Sequence, residues 1–237
     1  MMEKEVFLKT IKGKLIVSCQ ALDDEPLHGA DYMAKMSLAA KQGGAAAIRA
    51  NGKDDIIAIR KETGLPTIGI IKRTYNDSDV YITPTLKEVI ELIESGTDVI
   101  TLDATARRRP NGIPFDHLVS YIRKNCNCLI MGDVSTVDEG RNAVLEGCDL
   151  ISTTLSGYTP YSRQLDGPDF ELIKELSSSV EVPVIAEGRI STPEQAAAAL
   201  SCGAYSVVVG TAITRPQEIT KRFSKQITMS KEDLVEN

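Results

Sequence analysis

The stretch PVIAEGRISTPEQAAAALSCGAYSVVVGTAITRP, residues 183–216, decides the fold. It opens on an apolar run, PVIA (183–186), and turns polar. Thr192-Pro193-Glu194-Gln195 then fits a capping box, with the Thr192 oxygen placed to accept from the N3 amide and Pro193 at the first helical position, where a missing N–H costs nothing. A helical stretch follows, and a second apolar run, SVVVG (206–210), closes the unit. Both runs are continuous rather than alternating, the pattern of a strand covered on both faces. Strand, helix and strand in this order build a parallel sheet.

Working outward, the same rhythm fills the chain. LIVSC (15–19), AAAI (45–48), PTIGII (66–71), DVITL (98–102), CLIM (128–131) and DLISTT (149–154) precede the two runs above. Thr85-Leu86-Lys87-Glu88 and Thr136-Val137-Asp138-Glu139 fit capping boxes of their own. Eight βα units at intervals of about thirty residues predict an α/β fold, a (β/α)8 TIM barrel. The runner-up, a doubly wound open sheet, usually has fewer strands and a Gly-rich fingerprint, and no G-x-G-x-x-G follows the first run. No linker or composition shift marks a boundary, so residues 1–237 read as a single barrel domain. Its polar tail from about residue 224, SKQITMSKEDLVEN, is expected to fray or form a short helix.

Composition agrees. With 237 residues and 42% hydrophobic content the chain can bury a sizeable core without disulfide or metal staples. Its 27 Lys plus Arg against 33 Asp plus Glu give a net charge of −6, which lacks the basic field that nucleic acid requires as a main partner. The N-terminus has no signal-like apolar region and no run is long enough to span a membrane, so a cytoplasmic protein is expected. Cys19, Cys126, Cys128, Cys148 and Cys202 include no C-x-x-C and read as reduced, mostly buried thiols. Two histidines exclude a zinc site built on several His ligands, and no metal or other cofactor is expected.

In this fold chemistry occurs at the C-terminal ends of the strands. The residues ending the eight runs are Gln20, Arg49, Lys72, Asp103, Asp133, Thr153 with Thr154, Glu187 and Gly210. Together they describe a polar pocket of mixed charge, suited to a small polyhydroxylated substrate. Lys72 and Glu187 follow apolar runs at the edge of a low-dielectric core. Burial lowers a lysine pKa toward that of a useful base, while a neighbouring carboxylate opposes the shift. The two form either a structural ion pair or an acid/base couple.

A second group sits after strands seven and eight, the usual phosphate site of such barrels. Gly188 and Gly210 allow backbone N–H groups to approach an anion, a short helix beginning near Thr214 would face it, and Arg215 could add a forked contact. Gly157 is a further candidate amide. Arg107, Arg108 and Arg109 read as a solvated, mobile charge run, and His28 and His117 as ordinary polar residues.

The strings IVSCQA (16–21), GGAAAIRAN (43–51), IGIIKR (68–73), TLDATARRRP (101–110), MGDVST (131–136), STTLSGYT (152–159), VIAEGRI (184–190) and VVGTAITRP (208–216) carry a resemblance. In order and spacing they resemble those of N-acetylmannosamine-6-phosphate 2-epimerases, from about residue 14 to about residue 223. The resemblance implies a cofactor-free epimerisation at C2, converting N-acetylmannosamine 6-phosphate to N-acetylglucosamine 6-phosphate during sialic acid breakdown. It implies Lys72 and Glu187 as catalytic residues, Gln20, Arg49 and Asp133 as sugar contacts, and Gly188, Gly210, Thr211 and Arg215 as phosphate contacts. Arg189, a further expected phosphate contact, falls at a position where the family varies.

The chemistry is consistent with the residues. In the open-chain sugar the C2 hydrogen lies α to the C1 aldehyde, so a base can remove it if the enolate oxygen is stabilised. Two alternatives stay open: another phosphosugar isomerase or an aldolase using Lys72 as a Schiff base, and a phosphosugar-sensing barrel without turnover. The expected partner is a small amino-sugar phosphate. A homodimer is compatible with the fold, but the sequence does not choose a face.

Overall fold

Eight parallel strands close on themselves in chain order in the computed structural model, which describes residues 2–235, with side chains described through residue 228. The strands are β1 (Leu15–Cys19), β2 (Ala47–Asn51), β3 (Thr67–Ile70), β4 (Val99–Asp103), β5 (Leu129–Asp133), β6 (Leu150–Ser152), β7 (Val184–Glu187) and β8 (Ser206–Val209). β8 pairs with β1 through Ile16 opposite Val208, which completes the barrel. Each predicted run supplies a strand. β2 starts and ends later than expected, because Ala45 and Ala46 enter from the preceding turn and the ladder continues through Arg49 to Asn51.

The helices are α1 (Lys4–Ile11), α2 (Ala30–Gln42), α3 (Lys53–Thr63), α4 (Leu86–Ser95), α5 (Phe115–Asn125), α6 (Val137–Leu145), α7 (Phe170–Ser179), α8 (Pro193–Ser201), the four-residue α9 (Thr211–Thr214) and α10 (Pro216–Val235). Thr85 and Thr136 form the full reciprocal box with Glu88 and Glu139. Thr192 caps α8 by accepting from Gln195, but the Gln195 side chain turns back to Ser191, so only half of the third box exists. The polar tail does not stand apart: residues 224–235 continue α10.

Side chains alternate between two cores because successive strand residues face opposite sides. Ile16, Ala47, Ile68, Val99, Leu129, Met131, Leu150, Ile185 and Val208 point inward, and Phe7 and Ile11 of α1 pack against them. Val17, Ile48, Ile100, Leu102, Ile130 and Ile151 point outward onto helix residues such as Ile56, Leu92, Ile122 and Leu176. Apolar contact on both faces explains why the strands read as unbroken apolar runs. Counting in twos from the inward residues brings Arg49, Lys72, Asp103, Asp133, Thr154 and Glu187 to the interior at one end.

Cys19 and Cys148 are buried free thiols and Cys202 a half-buried one, but Cys126 and Cys128, between α5 and β5, are joined by a disulfide. The expectation of five reduced thiols therefore fails at this pair. No helix among the described residues is long and apolar enough to cross a membrane.

Candidate active site

The strand ends surround a cavity of about 670 Å³, within the range of small-ligand pockets. Its centre is Arg49, 1% exposed at the end of β2. Nη1 and Nη2 donate to the two Asp133 oxygens at 3.1 and 2.5 Å, and Nη1 also reaches Glu187 Oε2 at 2.5 Å and Thr154 Oγ1 at 3.2 Å. The Thr154 hydroxyl lies 2.9 Å from Asp133 Oδ1 and 3.0 Å from Glu187 Oε2. Burial alone would lower the Arg49 pKa, but Asp133 and Glu187 raise it above its ordinary value, so the guanidinium stays charged. A planar fork facing one carboxylate fixes the orientation of both groups.

Lys72 stands beside this cluster and joins none of it. Its backbone N–H donates to Asn51 Oδ1 at 2.7 Å, which fixes the chain at the end of β3. Among the described residues, Nζ has no hydrogen-bond or ion-pair partner, and neither does Glu187 Oε1. Burial and the Arg49 charge lower the Lys72 pKa, against Glu187 and Asp133, which raise it. Burial, followed by Asp133, raises the Glu187 pKa, although Arg49, Thr154 and Lys72 oppose it. Both groups move toward neutrality, and no ion pair joins them among the described residues. Arg49 stays protonated and cannot release a proton.

The other end of the cavity is built differently. Gly188, Gly210 and Thr211 line it together with Arg189, Arg215 and Arg222. Gly188 has φ +113°, a backbone state that a side chain rarely adopts. At Gly210 a Cβ would meet Ser18 Cβ at 3.2 Å, so glycine keeps the wall thin here. The short helix begins at Thr211, three residues earlier than expected. Arg215 is held by Glu25, to which Nη2 donates, and Glu25 is fixed in turn by the Leu22 N–H at 2.9 Å.

Most predicted residues line the cavity: Gln20, Arg49, Lys72, Glu187, Gly188, Arg189, Gly210, Thr211 and Arg215. Three do not. Asp133 lies beneath Arg49, fully buried, where it orients the guanidinium. The Thr153 hydroxyl faces away, accepting from the Glu187 N–H at 3.1 Å and donating to the Glu187 carbonyl at 2.9 Å; Thr154 takes the lining position. The Gly157 N–H is spent on Ser162 at 2.8 Å, and the Arg189 guanidinium packs on its Cα, so Gly157 has no amide to offer an anion.

The arginine run is not solvated throughout. Arg107 donates to Asp103 at 2.6 Å and to the Asp79 carbonyl at 3.1 Å, and Arg109 is buried over the Phe115 ring; Arg108 alone is exposed. Arg107 thereby seals Asp103 away from the cavity. The sequence reading also missed Ser18, Tyr81, Ile82, Tyr158, Glu25 and Arg222, which line the cavity. The last two sit beyond the strand ends, where no periodic signal points to them. Of seven buried side-chain polar atoms without a hydrogen-bond partner among the described residues, three are Gln20 Oε1, Arg49 Nε and Arg215 Nε. All three belong to cavity-lining residues, and an unmet buried polar group calls for an explanation such as a ligand. Among the described residues no cluster of His, Cys, Asp and Glu could hold a metal ion.

Comparison with known proteins decides the family. A family model described as "Putative N-acetylmannosamine-6-phosphate epimerase" matches residues 33–229. The chain belongs to this family. A relative from Clostridium perfringens, named "Putative N-acetylmannosamine-6-phosphate 2-epimerase", is 59% identical over 217 residues, covering 92% of this chain and 98% of its own. One of the same name from Clostridioides difficile is 54% identical over 223 residues, covering 94% and 100%. The solved structure of the N-acetylmannosamine-6-phosphate 2-epimerase from Clostridium perfringens superposes with a TM-score of 0.92 at 56% identity, covering 95% of this chain and 98% of that one. The resemblance read from eight short strings is thus borne out across nearly the whole chain, as is the barrel.

Proposed function

We propose that the chain is an isomerase that interconverts N-acetylmannosamine 6-phosphate and N-acetylglucosamine 6-phosphate by moving a proton at C2, a step in sialic acid breakdown. Family membership supports the substrate. The observation that supports the mechanism is that Lys72 and Glu187 line one cavity beside a locked Arg49, with Lys72 Nζ and Glu187 Oε1 unbonded among the described residues and their pKa values moved toward each other.

The phosphate binds at the Gly188, Gly210, Thr211 and Arg215 end, with Arg189 and Arg222 adding positive charge. Remote binding of this kind orients the reacting carbon. Lys72, neutral, removes the C2 proton of the open-chain sugar. Arg49 Nε, the donor without a partner, stabilises the oxygen on which negative charge develops. Glu187, protonated, returns a proton to the opposite face. Gln20 Oε1 accepts from a sugar N–H or O–H. Asp133 and Thr154 position Arg49 and Glu187. No cofactor is assigned a part in this scheme.

This reading carries a cytoplasmic location with it. A homodimer would give cover to Phe223 and Ile227, which α10 leaves exposed.

The test is proton NMR of the protein with N-acetylmannosamine 6-phosphate in D₂O, beside a Lys72→Ala variant. Formation of the gluco epimer with deuterium at C2, lost in the variant, is expected. Absence of both epimer and exchange in the unaltered protein overturns the reading. An unpaired lysine of lowered pKa also suits a Schiff base, and borohydride trapping of a covalent adduct would transfer the assignment to that chemistry.

A further inference from the structure

After β3 the chain doubles back over the barrel mouth. The Arg73 N–H donates to the Tyr81 carbonyl at 2.9 Å and the Thr83 N–H to the Ile71 carbonyl at 2.8 Å, which sets Lys72 and Ile82 opposite one another in an antiparallel bridge. Directly opposed residues point to one face with Cβ atoms about 4.5–5.5 Å apart, so the Ile82 side chain lies against that of Lys72. The flap is fixed at both ends. At its root Arg73 pairs with Glu88 and Glu91 of α4, and the Tyr75 hydroxyl donates to Glu88 at 2.9 Å. At its tip Ser78 donates to the Arg108 carbonyl at 2.7 Å, and Arg107 donates to the Asp79 carbonyl.

Ile82, Ile70, Leu155 and Tyr81 form a small apolar cluster separate from the two main cores. Three of them, Ile70, Tyr81 and Ile82, line the cavity. The groups facing them across the reacting end, Gln20, Arg49, Thr154 and Glu187, are polar or charged. An N-acetylated hexosamine phosphate carries one apolar group, the acetyl methyl, and its amide is attached to C2, the carbon whose proton Lys72 removes. With Lys72 at C2, the group borne on C2 falls beside the cross-strand neighbour of Lys72.

We infer that Ile82 and Tyr81, backed by Ile70, form the subsite for the N-acyl group, and that this flap determines which N-acyl hexosamine phosphates are turned over. The inference rests on the epimerase reading above. Ile82 is 2% exposed and Ile70 1%, so the wall has little slack for a longer acyl chain. A pocket of this kind discriminates by about 10- to 200-fold per methylene.

The experiment compares kcat/KM for the N-acetyl and N-propanoyl forms of mannosamine 6-phosphate in the unaltered protein, Ile82→Ala and Tyr81→Ala. The unaltered protein is expected to favour N-acetyl by about tenfold or more, and Ile82→Ala to shrink or reverse that ratio by about tenfold. Tyr81→Ala, at a partly exposed position, keeps the test open should the Ile82 variant fail to fold; it is expected to move the ratio in the same direction by a smaller factor. If a folded variant slows both substrates equally and leaves the ratio unchanged, the subsite assignment fails. If the unaltered protein turns over neither substrate, the epimerase reading fails instead.

Discussion

The two ends of the cavity are built on opposite principles. At the reacting end Arg49 and Asp133 are buried, Thr154 and Glu187 are half-buried, and hydrogen bonds and ion pairs join the four. At the anchoring end the cavity is edged by backbone around Gly188, Gly210 and Thr211 and by arginines reaching in from the rim, such as Arg215, whose side chain is 35% exposed. Charges locked in a low-dielectric network need no reorganisation when charge develops on substrate, which favours catalysis. The same locking ties them to folding. Contacts at a solvated rim can be strengthened or lost with little effect on the fold. The comparison teaches that substitutions at the reacting end should alter kcat and stability, and those at the anchoring end KM.

The largest effect is expected at the proton-transfer pair. Lys72→Met and Glu187→Gln should each lower kcat by about 10²–10⁴-fold, the usual contribution of a positioned acid or base. Deuterium incorporation at C2 provides the readout, and a Glu187→Gln variant that still exchanges C2–H while failing to epimerise would assign Lys72 as the base of the first step.

Next comes stability. Asp133→Ala leaves Arg49 buried with one of its two carboxylates gone, a change expected to destabilise by about 3–5 kcal/mol in denaturant unfolding. Arg215→Ala should leave the unfolding midpoint nearly unchanged. A comparable loss of stability in both variants would break the contrast between the ends.

Arg215→Ala is expected instead to raise KM by about 10- to 100-fold, from loss of a charge-assisted contact of about 1.5–3 kcal/mol, with kcat within a few-fold. Any residual turnover of unphosphorylated N-acetylmannosamine should be indifferent to the substitution, since that sugar has no group for Arg215 to hold.

The pH profile sharpens the picture of the reacting end. Lys72 must be neutral to accept a proton and its pKa lies below the ordinary 10.5, so kcat/KM should rise with pH through a range below that of free lysine. Glu187 must be protonated to donate and its pKa lies above the ordinary 4.5, so its ionisation should lower the reactive fraction and the profile should be a bell. The two limbs belong to the pair rather than to either residue. Asp133 raises both pKa values, so Asp133→Asn should shift both limbs toward lower pH.

The sequence makes the barrel legible because its strands are apolar on both faces; the same property hides which residue of each run points inward. At β6 the run DLISTT offers Leu150 and Ile151 as equally apolar, one facing the interior and one the helices. Reading the pair one step out of register selects Thr153 where the structure selects Thr154. Elsewhere the end residue was polar and its neighbour apolar, as with Arg49 beside Ile48 and Ala50, which settled the parity. Glu25, Tyr81 and Ile82 lie on loops whose path depends on tertiary contacts, and local pattern does not reach them. At Gly157 the sequence does not reveal that Arg189 crosses to cover it.

The smallest predicted difference tests that parity directly. Thr153 and Thr154 are adjacent and chemically identical, and they face opposite sides of the same wall. The Thr153 hydroxyl bonds only to Glu187 backbone atoms, so Thr153→Val should cost about 1–2 kcal/mol of stability, the price of two unmet backbone groups, and leave kcat within about twofold. The Thr154 hydroxyl bonds to the Asp133 and Glu187 carboxylates, so Thr154→Val removes a donor that holds Glu187 in the ionised form. It should raise the Glu187 pKa further and shift the pH profile upward, with kcat changed by about tenfold, or 1.4 kcal/mol, at neutral pH. Equal effects of the two substitutions on kcat would mean that the wall transmits disturbance from either face. Unequal effects would place the hydroxyl of catalytic consequence on the inward side alone.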